Sequence, residues 1–327
     1  MFCDRFERKK TMRVALLILF IIASQTIFAQ LYSDTSRDLA VRRIRDSIHH
    51  NYVFADKGGL IASEFYRFAK AGGFDLATTW KQFDSIATKK LREISSDGHM
   101  YTGVDAGIVR MLRGQSEPVS NKPEKIKDAD LNYGIREVNV MQGNVGYIRL
   151  KKIAINRSSL PLVEAAMCLV KDTRALIIDL RDNDGGGSDT GAVLESYFLP
   201  SGMPMLEFHD RKGGKKMDST VRWINKYKYE KPLFILVNHN TASAAEAFAF
   251  AMQQHGRAKI VGQRSAGGAN MNSWYPINDS LYVSVSTASP AFPGTRRNWE
   301  SVGVQPDVVV APGKEVEYIL KLKNEMP

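Results

Sequence analysis

The sequence predicts a layered α/β domain preceded by a small bundle of three helices. Two apolar runs, residues 175–180, which contain one charged residue, Asp179, and residues 233–237, are typical of strands that are covered on both faces. Helix-forming segments alternate with strands toward the C terminus, which favours a layered α/β arrangement. The chain has 327 residues, 44% hydrophobic and 24% charged. This composition is that of a globular protein with one large domain or two modest ones.

Residues 1–29 are predicted to be a secretory signal peptide. An apolar run at residues 14–22 follows a cluster of basic residues, and a small residue, Ala29, ends the segment. The apolar run is too short for a comfortable membrane span, so cleavage is favoured over a retained anchor. Met1 and Met12 both remain candidate start sites. We therefore expect an exported protein, periplasmic, cell-surface or secreted, with no stable membrane insertion after cleavage.

Cysteine content and charge narrow the class of function. Cys3 lies ahead of the apolar run, so no cysteine follows the cleavage point for lipid attachment, and the mature chain keeps only Cys168. One cysteine cannot form an internal disulfide, so the core must provide the stability. The net charge is +10, and part of the excess lies in residues 211–231, where a solvated loop and strand face is expected. Export argues against nucleic acid as a partner.

Residues 30–103 are predicted to form a helical amino-terminal domain. Apolar residues recur at helical spacing, and breaks at 51–53 and 71–73 divide the segment into three helices. The segment ends in Asp97-Gly98-His99, where Asp-Gly predicts a tight turn that places His99 at the start of the next element. A histidine in a turn is most often exposed or satisfied, so His99 by itself has no functional weight.

A connecting loop is predicted over residues 104–132, because this segment is polar and contains two prolines. The second domain, residues 133–327, opens with a hairpin of two strands at 134–140 and 145–150. A helix is predicted at about 160–170, ahead of the first buried strand.

A glycine-rich loop, residues 181–189, follows that strand and is predicted to open a helix at about Thr190. Its three consecutive glycines let the backbone approach a ligand closely and aim N–H groups at an oxyanion. A phosphate loop would need GxxxxGK[ST] or GxGxxG, and neither is present. A calcium loop would use Asp182, Asp184 and Asp189, but the closing glutamate of an EF-hand is missing. An oxyanion cradle is the first interpretation and a plain turn the second.

Residues 232–254 read as a buried strand, a polar turn and a helix, with Ser243 where the helix begins. Free backbone N–H groups and the positive end of the helix dipole favour negative charge near that hydroxyl, as a nucleophile requires. Serine and threonine are also preferred helix caps, so Thr241 or Ser243 could serve only as a cap. On this stretch alone the cap is the commoner role.

A resemblance to a known family rests on several motifs in one order. They are Gly146-Tyr147-Ile148-Arg149-Leu150, Asp179-Leu180-Arg181-Asp182-Asn183-Asp184-Gly185-Gly186, Thr241-Ala242-Ser243-Ala244-Ala245-Glu246, Gly256-Arg257-Ala258, Val261-Gly262 and Gly303-Val304-Gln305-Pro306-Asp307. Together they resemble the tail-specific or C-terminal processing peptidases, peptidase family S41, over roughly residues 134–310.

The amino-terminal segment that ends in Asp97-Gly98-His99 is similar to the module in members such as interphotoreceptor retinoid-binding protein and the tricorn core protease. About 35 residues separate Thr102 from the first strand of the second domain, too few for a PDZ domain of ~100 residues. The resemblance is therefore closer to the branch without a PDZ domain.

The resemblance implies a ClpP/crotonase-like fold and serine peptidase activity, and we expect neither a cofactor nor a metal ion. Carried over residue by residue, it implies that Ser243 is the nucleophile. It also implies that the N–H groups of Gly185, Gly186 and Ala244 form the oxyanion hole. The glycine cradle and the motif set favour nucleophile over cap for Ser243, because they are independent and indicate the same residue.

The choice of base separates two branches of the family. One branch uses a lysine about two dozen residues after the serine, but residues 262–270 contain none, and the Arg264 guanidinium does not deprotonate at usable pH. The tricorn-like branch implies His99 as the base and Glu300 as the carboxylate that fixes its tautomer. His239 is a rival base, ranked lower because it lies on the strand side of the turn.

We therefore predict an exported serine endopeptidase that cleaves polypeptides through an acyl-enzyme on Ser243. The alternative is a non-catalytic module that binds an apolar ligand or a peptide on the same fold. An esterase is less favoured, because the Gly-x-Ser-x-Gly elbow is missing. Trp274, Tyr275 and residues 289–298 could shape a substrate groove, although core packing is the commoner role for an aromatic residue. The oligomeric state stays open.

Overall fold

The computed structural model describes residues 32–115, 128–224 and 227–322. The predicted signal peptide, residues 1–29, lies outside the described residues. In chain order the helices are α1 (Asp34–Asn51), α2 (Ala55–Lys70), α3 (Trp80–Ser95), α4 (Ala106–Leu112), α5 (Leu160–Val170), α6 (Ala244–Gln254) and α7 (Glu315–Leu322). Within the described ranges, no helix is long and apolar enough to cross a membrane.

Among the described residues, the strands form three sheets. They are β1 (Tyr101–Val104), β2 (Ile135–Met141), β3 (Val145–Leu150), β4 (Ile153–Ile155), β5 (Ala175–Asp179), β6 (Gly186–Ser188), β7 (Pro204–Asp210), β8 (Lys215–Ser219), β9 (Leu233–Val237), β10 (Lys259–Gly262), β11 (Met271–Pro276), β12 (Leu281–Ala291) and β13 (Val308–Val309). The protein is therefore a mixed α/β structure with an amino-terminal helical layer, which confirms the predicted fold class.

The three amino-terminal helices form where the apolar spacing predicts them. The Ser33 side chain caps α1 by accepting from the Ser36 amide, and the Thr79 side chain caps α3 by accepting from the Gln82 amide. Ser96 ends α3 in the left-handed conformation, with φ of 50°. This reversal directs the chain through Asp97 into β1.

These helices do not pack only against one another. Their buried residues form one cluster with Leu281, Val283 and Val285 of β12. The helical layer therefore covers a face of the five-stranded sheet β1-β12-β7-β8, in which β11 also pairs with β12. Strand β1 pairs antiparallel with β12, so the predicted boundary at residue 103 falls inside a strand of this sheet.

The second sheet has the order β13-β10-β9-β5-β3-β2. Its inner strands are parallel, and β2 and β3 form the predicted antiparallel hairpin. Strands β5 and β9 are buried along their whole length because both faces are covered. Apolar residues of α5 and α6 pack on one face, and Ile319 of α7 packs on the other. Both the serine turn and the glycine loop follow the carboxyl ends of these central strands.

Two local predictions are wrong. Residues 106–112 form α4 inside the predicted connecting loop, because the Asp105 carboxylate caps that helix by accepting from Gly107 and Ile108 amides. Residues 116–127 of that loop lie outside the described residues. No helix begins at Thr190: strand β6 pairs parallel with β4 instead, followed by a 3-10 turn at Glu195–Tyr197.

Candidate active site

The turn between β9 and α6 holds Ser243 in an unusual backbone conformation. Ser243 immediately precedes α6 and has φ of 53° and ψ of −120°. A positive φ in a residue other than glycine costs about 1–3 kcal/mol, and such strain persists only where the surroundings impose it. A strained strand-to-helix turn is the geometry that exposes a nucleophile at the top of a sheet. The chain reaches this geometry without the Gly-x-Ser-x-Gly motif.

Hydrogen bonds to the glycine loop impose that conformation. The Thr241 hydroxyl donates to the Leu180 carbonyl at 2.8 Å, and the Ala242 amide donates to the Asn183 carbonyl at 2.9 Å. The Asn183 side chain in turn donates to the Leu150 carbonyl at 2.8 Å. The serine turn and the glycine loop therefore form one rigid unit at the edge of the sheet.

A buried carboxylate on α6 reinforces this unit. Glu246 is fully buried and accepts hydrogen bonds from the Ser243 amide at 2.9 Å and the Ser265 hydroxyl at 2.5 Å. It also accepts from the amides of Gly267 at 2.7 Å and Gly268 at 2.9 Å. These four donors satisfy a charge that would otherwise be costly to bury. The functional prediction missed Glu246, although Ser-x-x-Glu is the signature of a capping box.

The glycine loop lies directly against the serine. A Cβ atom at Gly185 would lie 2.7 Å from the Ser243 Cβ and 3.0 Å from the Ala244 nitrogen, so only glycine fits. The Gly185 N–H already donates to the Asn183 side-chain oxygen at 2.9 Å. Gly185 therefore has a steric role here, and its amide is not free to bind an oxyanion.

Two other predicted oxyanion donors are placed differently. Gly186 faces Ile153 in the parallel β4–β6 pair, and the Ile153 amide donates to the Gly185 carbonyl. In such a pair the N–H of the facing residue points away from the partner strand. Ala244 is the first residue of α6, so its N–H has no intrahelical partner. Both residues line the same cleft as Ser243.

The cleft that contains these groups has a volume of ≈ 880 Å³. Its apolar residues include Met205, Phe248 and Trp299. Of the residues predicted to shape a groove, Pro290 in segment 289–298 lines the cleft.

The two aromatic residues proposed for the groove do not line that cleft. The Trp274 indole N–H donates to the Tyr101 hydroxyl at 2.9 Å, and Tyr275 packs against the helical layer. Both have the packing role that was the alternative for them.

His99 reaches the cleft from the other layer of the protein. It lies between α3 and β1, and its side chain is 20% exposed. A Cβ atom at Gly268 would lie 3.2 Å from the His99 ring and 3.6 Å from a Glu246 oxygen, so Gly268 lies close to both side chains. Burial lowers the pKa of His99, while the charges of Asp97 and Glu246 oppose that shift. A lowered pKa keeps the imidazole neutral near pH 7, as a general base requires.

Glu300 lies beside His99, as the sequence predicts. One carboxylate oxygen, Oε2, accepts from the amides of Ala269 at 2.7 Å and Asn270 at 2.9 Å. The other, Oε1, is buried without a hydrogen-bond partner, and so is Nδ1 of His99. Burial, together with the charge of Asp97, raises the pKa of Glu300 to about 7.

A second carboxylate lies at the same point. Candidate ligand atoms of Asp97, His99 and Glu300 all lie within 4.8 Å of one another. Asp97 is buried, and its Oδ1 lies 3.9 Å from Nδ1 of His99. The sequence predicts a tight turn at Asp97-Gly98 and gives the Asp97 carboxylate no role in the site, so this acidic group is an addition to the predicted site.

Comparison with known proteins identifies the family. Residues 144–310 match the model of peptidase family S41, which is slightly more than half of the chain. The chain belongs to peptidase family S41.

Relatives of this S41 protein are longer than the chain. The carboxyl-terminal-processing peptidase 3, chloroplastic, of Arabidopsis thaliana is 29% identical over 256 residues, which cover 74% of this chain and 45% of that protein. The carboxyl-terminal-processing protease of Synechocystis sp. is 30% identical over 169 residues, which cover 51% of this chain and 38% of that protein. The chain thus spans less than half the length of these two relatives.

A solved structure has the same fold. A peptidase described as putative, from Parabacteroides merdae, superposes with a TM-score of 0.60 at 20% identity, covering 88% of this chain and 96% of that one. At this identity the likeness concerns the fold alone, and it agrees with the mixed α/β class predicted for the S41 chain.

The rival base of the S41 protein lies elsewhere. His239 is exposed and does not line the cleft that contains Ser243, and neither does Arg264, which the sequence already excludes as a base. The structure therefore brings His99 and Glu300 to the site with Ser243 and leaves His239 outside it.

A metal ion is the other species that the acidic cluster could hold. Within the part of the chain that the structure describes, Asp97, His99 and Glu300 are the group whose ligand atoms lie close enough together. Both oxygens of Asp97 already accept hydrogen bonds from protein groups, which fits a histidine–carboxylate arrangement at least as well as a cation site.

Proposed function

We propose that this S41 protein is a serine endopeptidase that cleaves polypeptides through an acyl-enzyme on Ser243. One observation carries the proposal: a single cleft holds a strained serine at a helix start, a glycine loop pressed against it, and a partly buried histidine beside carboxyl groups. These are the nucleophile, the oxyanion donors and the base that acyl transfer needs.

The chemistry follows from these positions. The neutral His99 imidazole takes the Ser243 hydroxyl proton through Nε2 as the oxygen attacks the carbonyl carbon of the scissile bond. The carbonyl oxygen becomes an oxyanion, and the N–H groups of Gly186 and Ala244 are its donors. Collapse of the tetrahedral intermediate breaks the C–N bond, and the leaving amine takes the proton from His99. Water then attacks the acyl-enzyme by the same route. Glu300 lies beside the ring and stabilises the imidazolium as it forms.

The substrate class has two supports. The relatives that match this chain are named processing peptidases or proteases, and their names concern polypeptide cleavage. The cleft is larger than one side chain requires, and its apolar floor suits an unfolded segment.

Export to the periplasm or cell surface is part of the proposal, and it rests on the basic and apolar pattern of residues 1–29. The predicted domain division, helical residues 30–103 and peptidase residues 133–327, belongs to it as well.

Cleavage of an unfolded test protein tests the proposal. The purified protein is compared with Ser243→Ala, His99→Ala and His239→Ala at matched folding, judged by circular dichroism. We expect activity in the wild type and in His239→Ala, and loss of activity in the other two variants. Equal inactivity of wild type and Ser243→Ala over a broad pH range would contradict the peptidase proposal.

The second candidate is a binding module without catalysis. The apolar floor formed by Met205, Phe248 and Trp299 is the observation that favours it. Binding of an apolar fluorescent ligand by both wild type and Ser243→Ala, with no cleavage by either, is the result expected of such a module.

A further inference from the structure

Asp97 is a buried carboxylate that the protein holds in place from three sides. Its Oδ2 accepts from the Tyr52 hydroxyl at 3.2 Å and from the Asn270 side-chain amide at 2.9 Å. Its Oδ1 accepts from the backbone N–H of His99 at 2.9 Å. Asp97 and Tyr52 are both buried, and each of these bonds joins Asp97 to a different part of the chain.

The bond to the His99 backbone also fixes the base. It ties the His99 main chain to Oδ1, and the same oxygen lies 3.9 Å from Nδ1 of the ring. Nδ1 is buried and has no hydrogen-bond partner. In unliganded enzymes, catalytic hydrogen bonds are often long and tighten only when substrate binds. A hydrogen bond between Nδ1 and Asp97 therefore requires the two atoms to approach by about 1 Å.

Glu300 alone is an incomplete partner for this histidine. Its Oε2 is committed to two backbone amides, which leaves Oε1 for Nδ1. The pKa of Glu300 is raised to about 7, so the group is partly protonated near neutrality. A protonated Oε1 of Glu300 would donate to Nδ1, which favours the tautomer with the proton on Nε2, and that Nε2 cannot take a proton from Ser243.

We propose that Asp97 is a positioning residue for His99: it anchors the His99 backbone and presents a carboxylate to Nδ1, beside the second carboxyl group of Glu300. The proposal deepens the proposed peptidase function and rests on it for its kinetic test. Asp97 acts through His99 and does not contact the substrate.

The surrounding charges agree with this role. The titratable and charged groups that face this cluster are Tyr52, Lys57, Arg92 and Glu246. Lys57 lowers the pKa of Glu300, and Arg92 lowers that of His99. The charge of Asp97 raises the pKa of both groups. Removal of Asp97 is therefore expected to shift the acid limb of the pH–activity profile to lower pH. It is also expected to reduce the rate.

Asp97→Asn is the direct variant, because it keeps the shape and removes the charge. The Tyr52 hydroxyl can accept from the new amide, and Asn270 has a buried side-chain oxygen without a partner that can do the same after a flip. We expect kcat to fall by about 100-fold or more, with KM within about twofold, since the lost interaction stabilises the transition state. Asp84→Asn is the matched control: Asp84 accepts from Thr102 at 2.6 Å near β1 and does not contact His99.

Proton NMR of the Nδ1–H of His99 provides a readout that does not depend on activity. The protein carries Ser243→Ala and ¹⁵N-labelled histidine, and the signal is identified by its loss in His99→Ala. We expect a downfield signal that persists in Glu300→Gln and disappears in Asp97→Asn. The Glu300→Gln arm retains Asp97, so it tests the proposal even if Asp97→Asn fails to fold.

The outcomes separate the two proposals. If the wild type cleaves and Asp97→Asn keeps kcat within threefold, Asp97 does not position the base and the peptidase function stands. Loss of the Nδ1–H signal in Glu300→Gln, with its retention in Asp97→Asn, likewise assigns the role to Glu300 alone and overturns our inference. If the wild type does not cleave, but the Nδ1–H signal is lost in Asp97→Asn and kept in Glu300→Gln, the peptidase proposal fails and the positioning contact remains.

Discussion

The Glu246 carboxylate accepts a hydrogen bond of 2.9 Å from the backbone N–H of Ser243, three residues before it. The same carboxylate accepts from the amides of Gly267 and Gly268, and Gly268 lies close to His99. One buried acidic group on α6 thus fixes the backbone of the candidate nucleophile and the backbone of Gly268, which lies close to the candidate base. Four predictions follow the contacts of this region.

Glu246→Gln should destabilise the protein by about 2–4 kcal/mol, because an amide donor would face N–H groups that now meet a carboxylate oxygen. Urea unfolding measures this change as a lower midpoint at constant slope. Glu317→Gln on the exposed face of α7 is the matched control, and its urea midpoint should stay close to that of the wild type. Equal midpoints for wild type and Glu246→Gln would show that the four hydrogen bonds contribute nothing net.

Gly185→Ala should reduce kcat by about 100-fold or more while the protein still folds. The added methyl group meets the Ser243 Cβ at 2.7 Å, and φ of 93° strains any residue with a side chain. The clash displaces Ser243 relative to the N–H groups of Gly186 and Ala244, the proposed oxyanion donors. Small displacements of a nucleophile have large kinetic costs. Gly187→Ala provides the comparison, because its added Cβ has no neighbour within 4 Å. Activity of Gly185→Ala close to that of Gly187→Ala would argue against the close approach.

Glu300 should make the stability of the protein fall as pH rises. Its folded pKa of about 7 lies above the ordinary value of 4.5, so the folded state binds the proton more tightly than the unfolded state. The contribution of Glu300 is fully present below about pH 4.5 and is lost as pH rises through about 7. Glu300→Gln should therefore gain stability relative to wild type between about pH 5 and about pH 8, measured by urea unfolding at both values. A difference that stays constant with pH would place the pKa of Glu300 near its ordinary value.

Ser243→Gly should be more stable than Ser243→Ala by about 1 kcal/mol. Glycine adopts φ of 53° without the penalty that a Cβ incurs, whereas alanine keeps the strain. Thermal unfolding of the two inactive variants measures the difference. The reverse order of stability would mean that the turn relaxes once the hydroxyl is removed, and that Ser243 stores no strain.

Much of the fold could be predicted because its signals are local. The helices α1–α3 and the strands β5 and β9 follow from apolar spacing within each segment, and the capping residues Ser33 and Thr79 mark where two helices begin. Helix α4 was missed although Asp105 provides the same kind of cap, because polar neighbours hid a helix of only two turns.

The missed parts of the site depend on distant contacts. Strand β6 exists because Gly186 pairs with Ile153, and a glycine run by itself does not indicate a strand. Asp97 was interpreted as a turn residue, since its contacts with Tyr52 and Asn270 arise only when three segments meet. The role of Ser243 could be predicted from motifs, while the contacts of Asp97 with His99 and of Glu246 with the Gly268 backbone could not.

The packing of the helical layer on β12 has a consequence for the folding chain. The candidate base comes from the junction of α3 and β1, and the candidate nucleophile comes from the β9–α6 turn in the other sheet. A nascent chain whose two layers have not yet docked has a serine without a base, and so cannot cleave itself or its neighbours. Under the proposed mechanism, peptidase activity therefore requires that the two layers have docked.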